Sequence, residues 1–161
     1  MKYALILILA AMITVLGCTP TDKPAPAEEA AADSATIDPW LTDFSLAKLT
    51  AEEAERPILI NFTGSDWCGW CIKLSNEVFS QPAFLDYAKD NLVLLKLDFP
   101  RKKQLPEAER KANELLATEY GIQGFPTIVL VDNTGREIAR TGYQAGGAEA
   151  YVKHLGELLS K

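Results

Sequence analysis

The sequence predicts an α/β domain whose central mixed sheet of four to five strands is flanked by helices on both faces. Apolar runs typical of buried strands alternate with stretches in which apolar residues recur at helical spacing. The strands over 58–62 and 92–99 are joined through helices, a connection long enough for the two strands to lie parallel. Residues 132–135, Asp-Asn-Thr-Gly, instead join two successive strands directly, which requires an antiparallel pair. The two kinds of connection together give a mixed sheet.

The predicted elements follow one another from residue 38 to the C-terminus. Apolar residues recur at helical spacing from Trp40 until Pro57 interrupts the pattern, Pro82 suits a first helical turn, and Gly121 ends a later helix. The strands are apolar runs bounded by turn residues. In chain order we expect a helix over 40–55, a strand over 58–62, helices over 68–79 and 82–91, a strand over 92–99, a helix over 106–120, strands over 127–131 and 136–141, and a helix over 148–159.

Composition narrows the classes of function. The chain has 161 residues, of which 16 are basic and 22 acidic, for a formal net charge of −6. This balance argues against binding to nucleic acid, which needs a basic surface. Hydrophobic residues make up 48% and charged residues 24%, as in ordinary globular proteins, and the length suits one domain with tails. Three cysteines are too few for a disulfide-stapled scaffold, so their positions carry the information.

Residues 1–17 have the features of a signal peptide. Lys2 precedes an apolar run over 3–17, which is shorter than the ~20 residues that span a bilayer as a helix. The run leads into residues 15–18, Val-Leu-Gly-Cys, which resemble a bacterial lipobox. That resemblance implies cleavage before Cys18 and a diacylglycerol on its sulfur, so that lipid anchors the chain to a bacterial membrane, facing the periplasm or the outer face of the cell. An uncleaved anchor and a plain secretory signal with a chance cysteine are the alternatives.

Residues 18–37 are predicted to be a flexible tether rich in proline, alanine and glutamate. Between residues 19 and 36 there is no large apolar side chain. Such a segment buries too little surface to offset the conformational entropy that ordering would cost. The folded domain is therefore expected over 38–161.

Cys68 and Cys71 carry the candidate chemistry, within the sequence Trp67-Cys68-Gly69-Trp70-Cys71. The pair lies where a predicted buried strand ends and a helix begins. Unsatisfied N–H groups and the positive end of the dipole at a helix N-terminus stabilise a thiolate, the form of cysteine that attacks a disulfide. Cys71, one turn further along, can attack the resulting mixed disulfide and release the product. The spacing thus supplies a nucleophile, Cys68, and a resolving thiol, Cys71.

Two other interpretations of the pair are weaker. A static disulfide between residues three apart closes a very small loop and constrains little of the unfolded chain. A zinc site needs more ligands, and the chain has no second cysteine pair and a single histidine, His154, which we expect on the solvated surface of the last helix. We therefore expect neither a metal nor another cofactor.

The motif and its surroundings resemble the thioredoxin superfamily. Residues 61–71, Asn-Phe-Thr-Gly-Ser-Asp-Trp-Cys-Gly-Trp-Cys, are similar to exported and lipid-anchored bacterial thioredoxin-like proteins, and residues 124–127, Gly-Phe-Pro-Thr, lead into the third strand. The resemblance extends from about residue 40 to the C-terminus and implies a thioredoxin-like fold. It also implies a cis peptide bond before Pro126, beside the cysteine pair, which leaves the backbone of Phe125 available for strand-like pairing with a substrate. The expected substrate-binding residues are Trp67, Gly69, Trp70, Phe125 and Pro126.

Two residues of the motif depart from thioredoxin. Trp70 stands where thioredoxin has proline, which leaves the redox potential open and offers apolar contact area to a partner. Asn61 is nearest to the position of a buried aspartate that helps to move the proton of the resolving cysteine, and an amide cannot act as a general base at neutral pH. The proton of Cys71 is then left to water or another carboxylate such as Asp66, which we expect in an exposed turn. Lys73 either favours the thiolate by its charge or is simply solvated.

The resemblance implies a lipid-anchored thiol–disulfide oxidoreductase of the cell envelope. Because Trp70 stands where thioredoxin has proline and strong disulfide-forming oxidases often have histidine, we expect a reductase or isomerase rather than an oxidant. Its partners would be protein thiols and disulfides, a membrane redox relay that donates electrons, and the membrane itself through the anchor. We expect a monomer. A binding or chaperone-like module without redox turnover is the alternative, and a reductase dedicated to one client is a third interpretation. Residues 99–105, Phe-Pro-Arg-Lys-Lys-Gln-Leu, hold three basic side chains that contact a partner or anionic head groups, or are merely solvated.

Overall fold

Five strands, five α-helices and one π-helical segment make up the part of the chain that the structure, a computed structural model, describes, residues 38–160. In chain order they are β1 (Trp40–Leu41), α1 (Phe44–Ala54), β2 (Ile58–Thr63), α2 (Gly69–Leu74), the π-helical segment (Ser75–Phe79), α3 (Pro82–Asn91), β3 (Val93–Asp98), α4 (Glu107–Glu119), β4 (Thr127–Val131), β5 (Glu137–Thr141) and α5 (Gly147–Leu159). The predicted signal peptide, the lipidation site Cys18 and the tether lie outside these residues.

The sheet has the strand order β1-β3-β2-β4-β5. Strands β1, β3 and β2 run parallel, whereas β4 is antiparallel to both β2 and β5. The central strand β2 is hydrogen-bonded on both sides and all six of its residues are buried, as its uninterrupted apolar sequence predicts. The predicted mixed sheet of four to five strands is confirmed. Because Phe62 pairs with Thr127, the end of β2 lies at the same edge of the sheet as the start of β4.

Alternate residues of the strands face two separate hydrophobic clusters, one on each side of the sheet. On one face, Ile58, Ile60 and Phe62 pack with Ala47 and Ala51 of α1. That cluster also includes Tyr120, which follows α4, so these two helices cover the same face. On the other face, the cluster combines residues of β2, β3 and β4 with residues of α2, the π-helical segment, α3 and α5. Its largest fully buried members are Leu59, Leu74, Phe84, Ile128, Leu130, Tyr151 and Leu155. Helices therefore flank both faces, as predicted.

The first element differs from the prediction of one helix over 40–55. Trp40 and Leu41 instead form a short strand, paired in parallel with Leu94 and Leu95 of β3. The helix begins only at Phe44, because the Asp43 carboxylate caps it by accepting the N–H of Leu46 at 2.8 Å. Trp40 and Leu41 are therefore apolar because they form an edge strand of the sheet, and not because they belong to the first turn of a helix. Trp40 packs against Phe79 and Phe84 across the sheet edge, with ring centroids 5.1 and 6.4 Å away.

Tyr120 gives the free energy of unfolding a dependence on alkaline pH. Its hydroxyl donates to the carbonyl oxygen of Gly135 at 2.7 Å, and burial, aided by nearby carboxylates, raises its pKa from 10.0 to about 12. The folded protein therefore keeps this proton at pH values where the unfolded chain loses it. The stabilisation is complete below pH 10 and is lost as the pH rises towards 12.

We expect Tyr120→Phe to lower the free energy of unfolding by about 1 kcal/mol at neutral pH, because the hydrogen bond to Gly135 is lost. Between pH 10 and 12 the difference from the unchanged protein should shrink, since phenylalanine does not titrate. Denaturant unfolding at a series of pH values measures both effects. Parallel pH profiles for the two proteins would contradict the assignment to Tyr120.

Candidate active site

Cys68 and Cys71 are joined in a disulfide at the start of α2, with Cα atoms 5.2 Å apart. Strand β2 ends at Thr63, a short turn follows, and Cys68 occupies the N-cap of the helix with an extended backbone conformation. Its Sγ accepts the backbone N–H of Cys71 at 3.2 Å. The strand, turn and helix thus place the first sulfur where an N–H group of the helix N-terminus points at it, which stabilises negative charge on that sulfur.

The two cysteines are mostly enclosed, and their neighbours in the motif are exposed. Cys68 is 7% exposed and Cys71 is 4% exposed. Gly69 is exposed and has no atom within 4 Å of where a Cβ would stand, and Trp70 is 58% exposed. Gly69 and Trp70 are therefore the residues of the motif that are accessible to a partner beside the enclosed Cys68 sulfur.

Trp67 is held by three kinds of contact. Its indole Nε1–H donates to the carbonyl oxygen of Phe99 at 2.7 Å, the Arg101 guanidinium lies 3.7 Å from its ring centroid, and its ring meets Phe125 edge-on at 5.9 Å. A Cβ at Gly64 would come within 2.5 Å of the indole. Only glycine at position 64 leaves room for this placement of the ring.

Asp66 fixes the loop that follows β3. Its carboxylate accepts the backbone N–H groups of Arg101 at 2.9 Å, Lys102 at 2.7 Å and Lys103 at 3.0 Å. The N–H of Arg101, more than the other two, holds the pKa of Asp66 below its usual value. The expectation of an exposed turn carboxylate needs correction, because Asp66 is half-buried and its oxygens are occupied by this loop.

A second carboxylate, Asp98 at the end of β3, fixes the turn before the cysteines. It is only 4% exposed and accepts the Ser65 backbone N–H at 2.9 Å and the Ser65 hydroxyl at 2.6 Å. The Lys103 ammonium lies 3.1 Å from it. Sequence reasoning missed Asp98; the available signal was a charged residue at the end of an otherwise apolar strand.

Trp70 belongs to a second cluster, which it forms with Tyr143, Lys73 and Glu77. Its ring packs against Tyr143 with centroids 5.1 Å apart, and the Lys73 ammonium lies 5.1 Å from both ring centroids. Glu77 accepts the Tyr143 hydroxyl at 2.7 Å and lies 3.8 Å from Lys73. The Tyr143 hydroxyl and the Glu77 carboxylate raise the pKa of Lys73. The charge of Lys73 is therefore offset by Glu77, and Tyr143 is a further residue that the sequence did not indicate.

The Phe125–Pro126 peptide bond is cis, as the resemblance implies. Pro126 directly precedes β4, whose first residue pairs with Phe62 near the end of β2. This pairing places Phe125 and Pro126 at the edge of the sheet from which the cysteine motif emerges. Phe125 also packs against Phe99, with ring centroids 5.0 Å apart. Of the expected substrate-binding residues, Trp67 and Phe125 are in direct contact.

A cavity of about 230 Å³ lies beside Cys71. Asn61 of β2 contributes to its wall and is 7% exposed, and its Oδ1 accepts no hydrogen bond from the protein. The other lining residues are Thr63, Ser65, Ile72, Ser75, Asn76 and Lys96, so that no carboxylate lines this space. A cavity of this size has room for several water molecules, and an orphaned amide oxygen is a site for one of them.

Two further features bear on the metal and histidine expectations. His154 is half-buried on α5, with Nε2 2.8 Å from the Thr141 hydroxyl, so the expectation of a solvated surface residue is wrong. This contact arises because α5 packs beside β5, which the helix sequence by itself does not reveal.

Within residues 38–160, no three His, Cys, Asp or Glu side chains are grouped so that they could hold a metal ion. No helix in this part of the chain is both long and apolar enough to cross a membrane.

Fold and site together define a protein with a Cys-x-x-Cys pair at a helix N-terminus and a cis-proline at the same edge of the sheet. The chain matches the family model described as thioredoxin-like domain over residues 44–158. It therefore belongs to the thioredoxin-like family.

The proteins similar to this chain include two named relatives and one solved structure. The disulfide bond reductase DsbH of Chlamydia pneumoniae is 38% identical over 109 residues, which are 68% of this chain and 66% of that protein. The thioredoxin-related protein DsbJ of the same organism is 32% identical over 103 residues, 64% of this chain and 30% of its own length. A solved structure described as DsbH oxidoreductase has a TM-score of 0.72 at 36% identity, covering 75% of this chain and 83% of that one. The chain thus spans just under two thirds of the first relative and less than a third of the second.

Proposed function

We propose that the chain is a thiol–disulfide oxidoreductase that works as a reductase or isomerase rather than as an oxidant. The observation that carries this proposal is the position of Cys68 as N-cap of α2, where its sulfur accepts the N–H of Cys71. The name of the relative DsbH, a disulfide bond reductase, supports the direction of electron flow.

The proposed reaction takes two exchange steps. In the reduced protein, the Cys68 thiolate attacks one sulfur of a substrate disulfide; the substrate S–S bond breaks, and the other substrate sulfur leaves as a thiolate and takes up a proton. Cys71 then loses its proton and attacks Cys68 Sγ, which breaks the mixed disulfide and releases the second substrate thiol. The substrate gains two electrons and the protein ends in the disulfide form seen here. A dithiol donor, proposed to be a membrane redox relay, must then reduce the pair again.

The side chains around Cys68 have distinct roles in this proposal. Trp67, Gly69 and Trp70 line the approach to the sulfur, and the backbone beside Phe125 and Pro126 pairs with the substrate segment. Water in the cavity beside Cys71 accepts its proton, since Asn61 replaces a carboxylate there and cannot act as a base.

The cellular context rests on the N-terminal sequence. We propose that residues 1–17 direct export, that Cys18 carries the lipid, and that residues 18–37 hold a monomeric domain away from the membrane in the cell envelope. Globomycin sensitivity of processing and radiolabelled palmitate incorporation, both lost on Cys18→Ala, test this part separately from the chemistry.

Reduction of insulin disulfides by the prereduced protein tests the proposed activity, and equilibration with glutathione of defined redox ratio gives the reduction potential of the pair. We expect turnover in the presence of dithiothreitol and none in a variant with both Cys68 and Cys71 replaced by serine. Turnover equal to that of the serine variant would refute the proposal and favour a binding or chaperone-like module, an interpretation consistent with the amide at position 61. A potential near that of strong oxidants would overturn the proposed direction.

A further inference from the structure

We propose that Arg101 and Lys102 form a cationic docking edge of the redox site, which favours partner polypeptides carrying aspartate or glutamate next to the disulfide that is exchanged. This inference rests on the proposed function and adds a substrate class to it. The term docking edge refers below to these two residues.

The docking edge is fixed beside the cysteine pair by hydrogen bonds and stacking. Asp66, two residues before Cys68, accepts the backbone N–H groups of Arg101 and Lys102. The Arg101 guanidinium lies 3.7 Å from the ring centroid of Trp67, the residue that immediately precedes Cys68. A loop held in this way keeps the Arg101 guanidinium against Trp67 and the backbone of Lys102 beside Asp66, so that little entropy is lost there when a partner binds.

The two cations have no carboxylate partner within ion-pair distance among residues 38–160. Most other basic side chains of that region are neutralised by an acidic neighbour, including Lys103 of the same loop, which pairs with Asp98. Asp66 contributes one negative charge, but its oxygens accept three backbone N–H groups. Arg101 and Lys102 are both exposed, so their charges remain available to a partner.

The acidic character of the rest of the chain strengthens the effect of the docking edge. With a formal net charge of −6, the protein repels acidic partners at most orientations. A local positive region at the redox site then selects the productive orientation and raises the association rate. A membrane surface fits less well, because recognition of anionic lipid head groups usually involves a cluster of four to eight basic residues.

The test compares three peptides that contain the same disulfide, flanked by aspartates, by serines or by lysines. Rates of reduction by prereduced protein are measured at about 10 mM and about 300 mM salt, because salt screens exposed charges. We expect the aspartate peptide to react about fivefold faster than the serine peptide at low salt and less than twofold faster at high salt, with the lysine peptide slowest.

Charge-matched variants assign the preference to the docking edge. The double variant Arg101→Gln/Lys102→Gln should lose the preference, and Lys102→Gln, which leaves Arg101 on Trp67, should lose part of it. Lys48→Gln/Lys89→Gln removes the same charge at the far end of the sheet and should retain the preference. The backbone carbonyl oxygen of Lys89 accepts a hydrogen bond from the guanidinium of Arg56, which precedes β2, and the Lys48 ammonium lies over the ring of Phe44 near the 132–135 turn.

Several results would overturn the docking edge without touching the proposed function. Equal rates for the aspartate and serine peptides at low salt would do so, as would a preference that survives in the double variant. Binding to vesicles of phosphatidylcholine and phosphatidylglycerol that is lost in the double variant, with no peptide preference, would assign the edge to a membrane instead. Failure of the unchanged protein to reduce the serine peptide at all would refute the proposed function itself.

Discussion

Replacing Cys71 with serine is expected to trap a covalent complex between Cys68 and a substrate, whereas replacing Cys68 with serine should abolish both the complex and turnover. Cys68 caps the helix and its sulfur accepts a backbone N–H, so it keeps its nucleophilic character when the second sulfur is absent. Without Cys71, nothing inside the protein attacks the mixed disulfide. We expect turnover to fall by at least about 1000-fold in each variant, because the covalent route is closed at one of its two steps.

Intact-mass analysis after incubation with a disulfide peptide separates the two variants. The Cys71→Ser protein should gain the mass of one peptide half, and dithiothreitol should remove it. The Cys68→Ser protein should keep its own mass, because Cys71, in the first turn of α2, is buried and only 4% exposed. A trapped peptide on the Cys68→Ser protein would reverse the assignment of nucleophile and resolving thiol.

Replacing Asp98 with alanine is expected to lower the free energy of unfolding by about 3 kcal/mol. The substitution removes an almost fully buried acceptor that takes two hydrogen bonds from Ser65, and it leaves Lys103 without its partner. The turn that carries Trp67 should loosen, so insulin reduction should slow as well. Urea unfolding of the oxidised protein measures the free energy of unfolding. The rate of insulin reduction reports whether the turn still holds Trp67 in place.

Lys103→Gln is the matched control for Asp98→Ala. Lys103 is 56% exposed, so its ion pair with Asp98 should contribute less than about 1 kcal/mol. If both variants lose the same stability, the ion pair rather than the hydrogen bonds to Ser65 carries the effect of Asp98. A third variant, Asp98→Asn, keeps an acceptor for Ser65 and should fall between the other two.

Features that depend on residues close together in the sequence were predicted correctly. The alternation of apolar runs with amphipathic stretches places β2, β3, β4 and their helices close to where the structure has them. The strand-to-helix boundary before Cys68 was likewise predictable, because a buried run, a glycine-containing turn and a cysteine pair follow one another directly. The two-residue strand β1 was missed, since its identity depends on pairing with β3 rather than on its own pattern.

The hydrogen bonds that Asp66 and Asp98 make around the site could not be predicted from the sequence pattern. Asp66 binds a loop 35 to 37 residues away, and Asp98 binds Ser65 across 33 residues. Contacts of that length leave no periodicity in the sequence, and Asp66 was expected simply to be exposed. Gly64 was the available hint, since a glycine three residues before a tryptophan is consistent with a ring lying against the backbone.

The paired carboxylates have a consequence for how the domain opens. Asp66 belongs to the turn and holds the loop, whereas Asp98 precedes the loop and holds the turn, so the two segments are tied in both directions. Separating the two segments would leave the buried Asp98 carboxylate and the half-buried Asp66 carboxylate without the hydrogen bonds that stabilise their charge. The turn and the loop should therefore fluctuate as one cooperative unit, and a partner that pulls on the loop would also loosen the reactive sulfur's support.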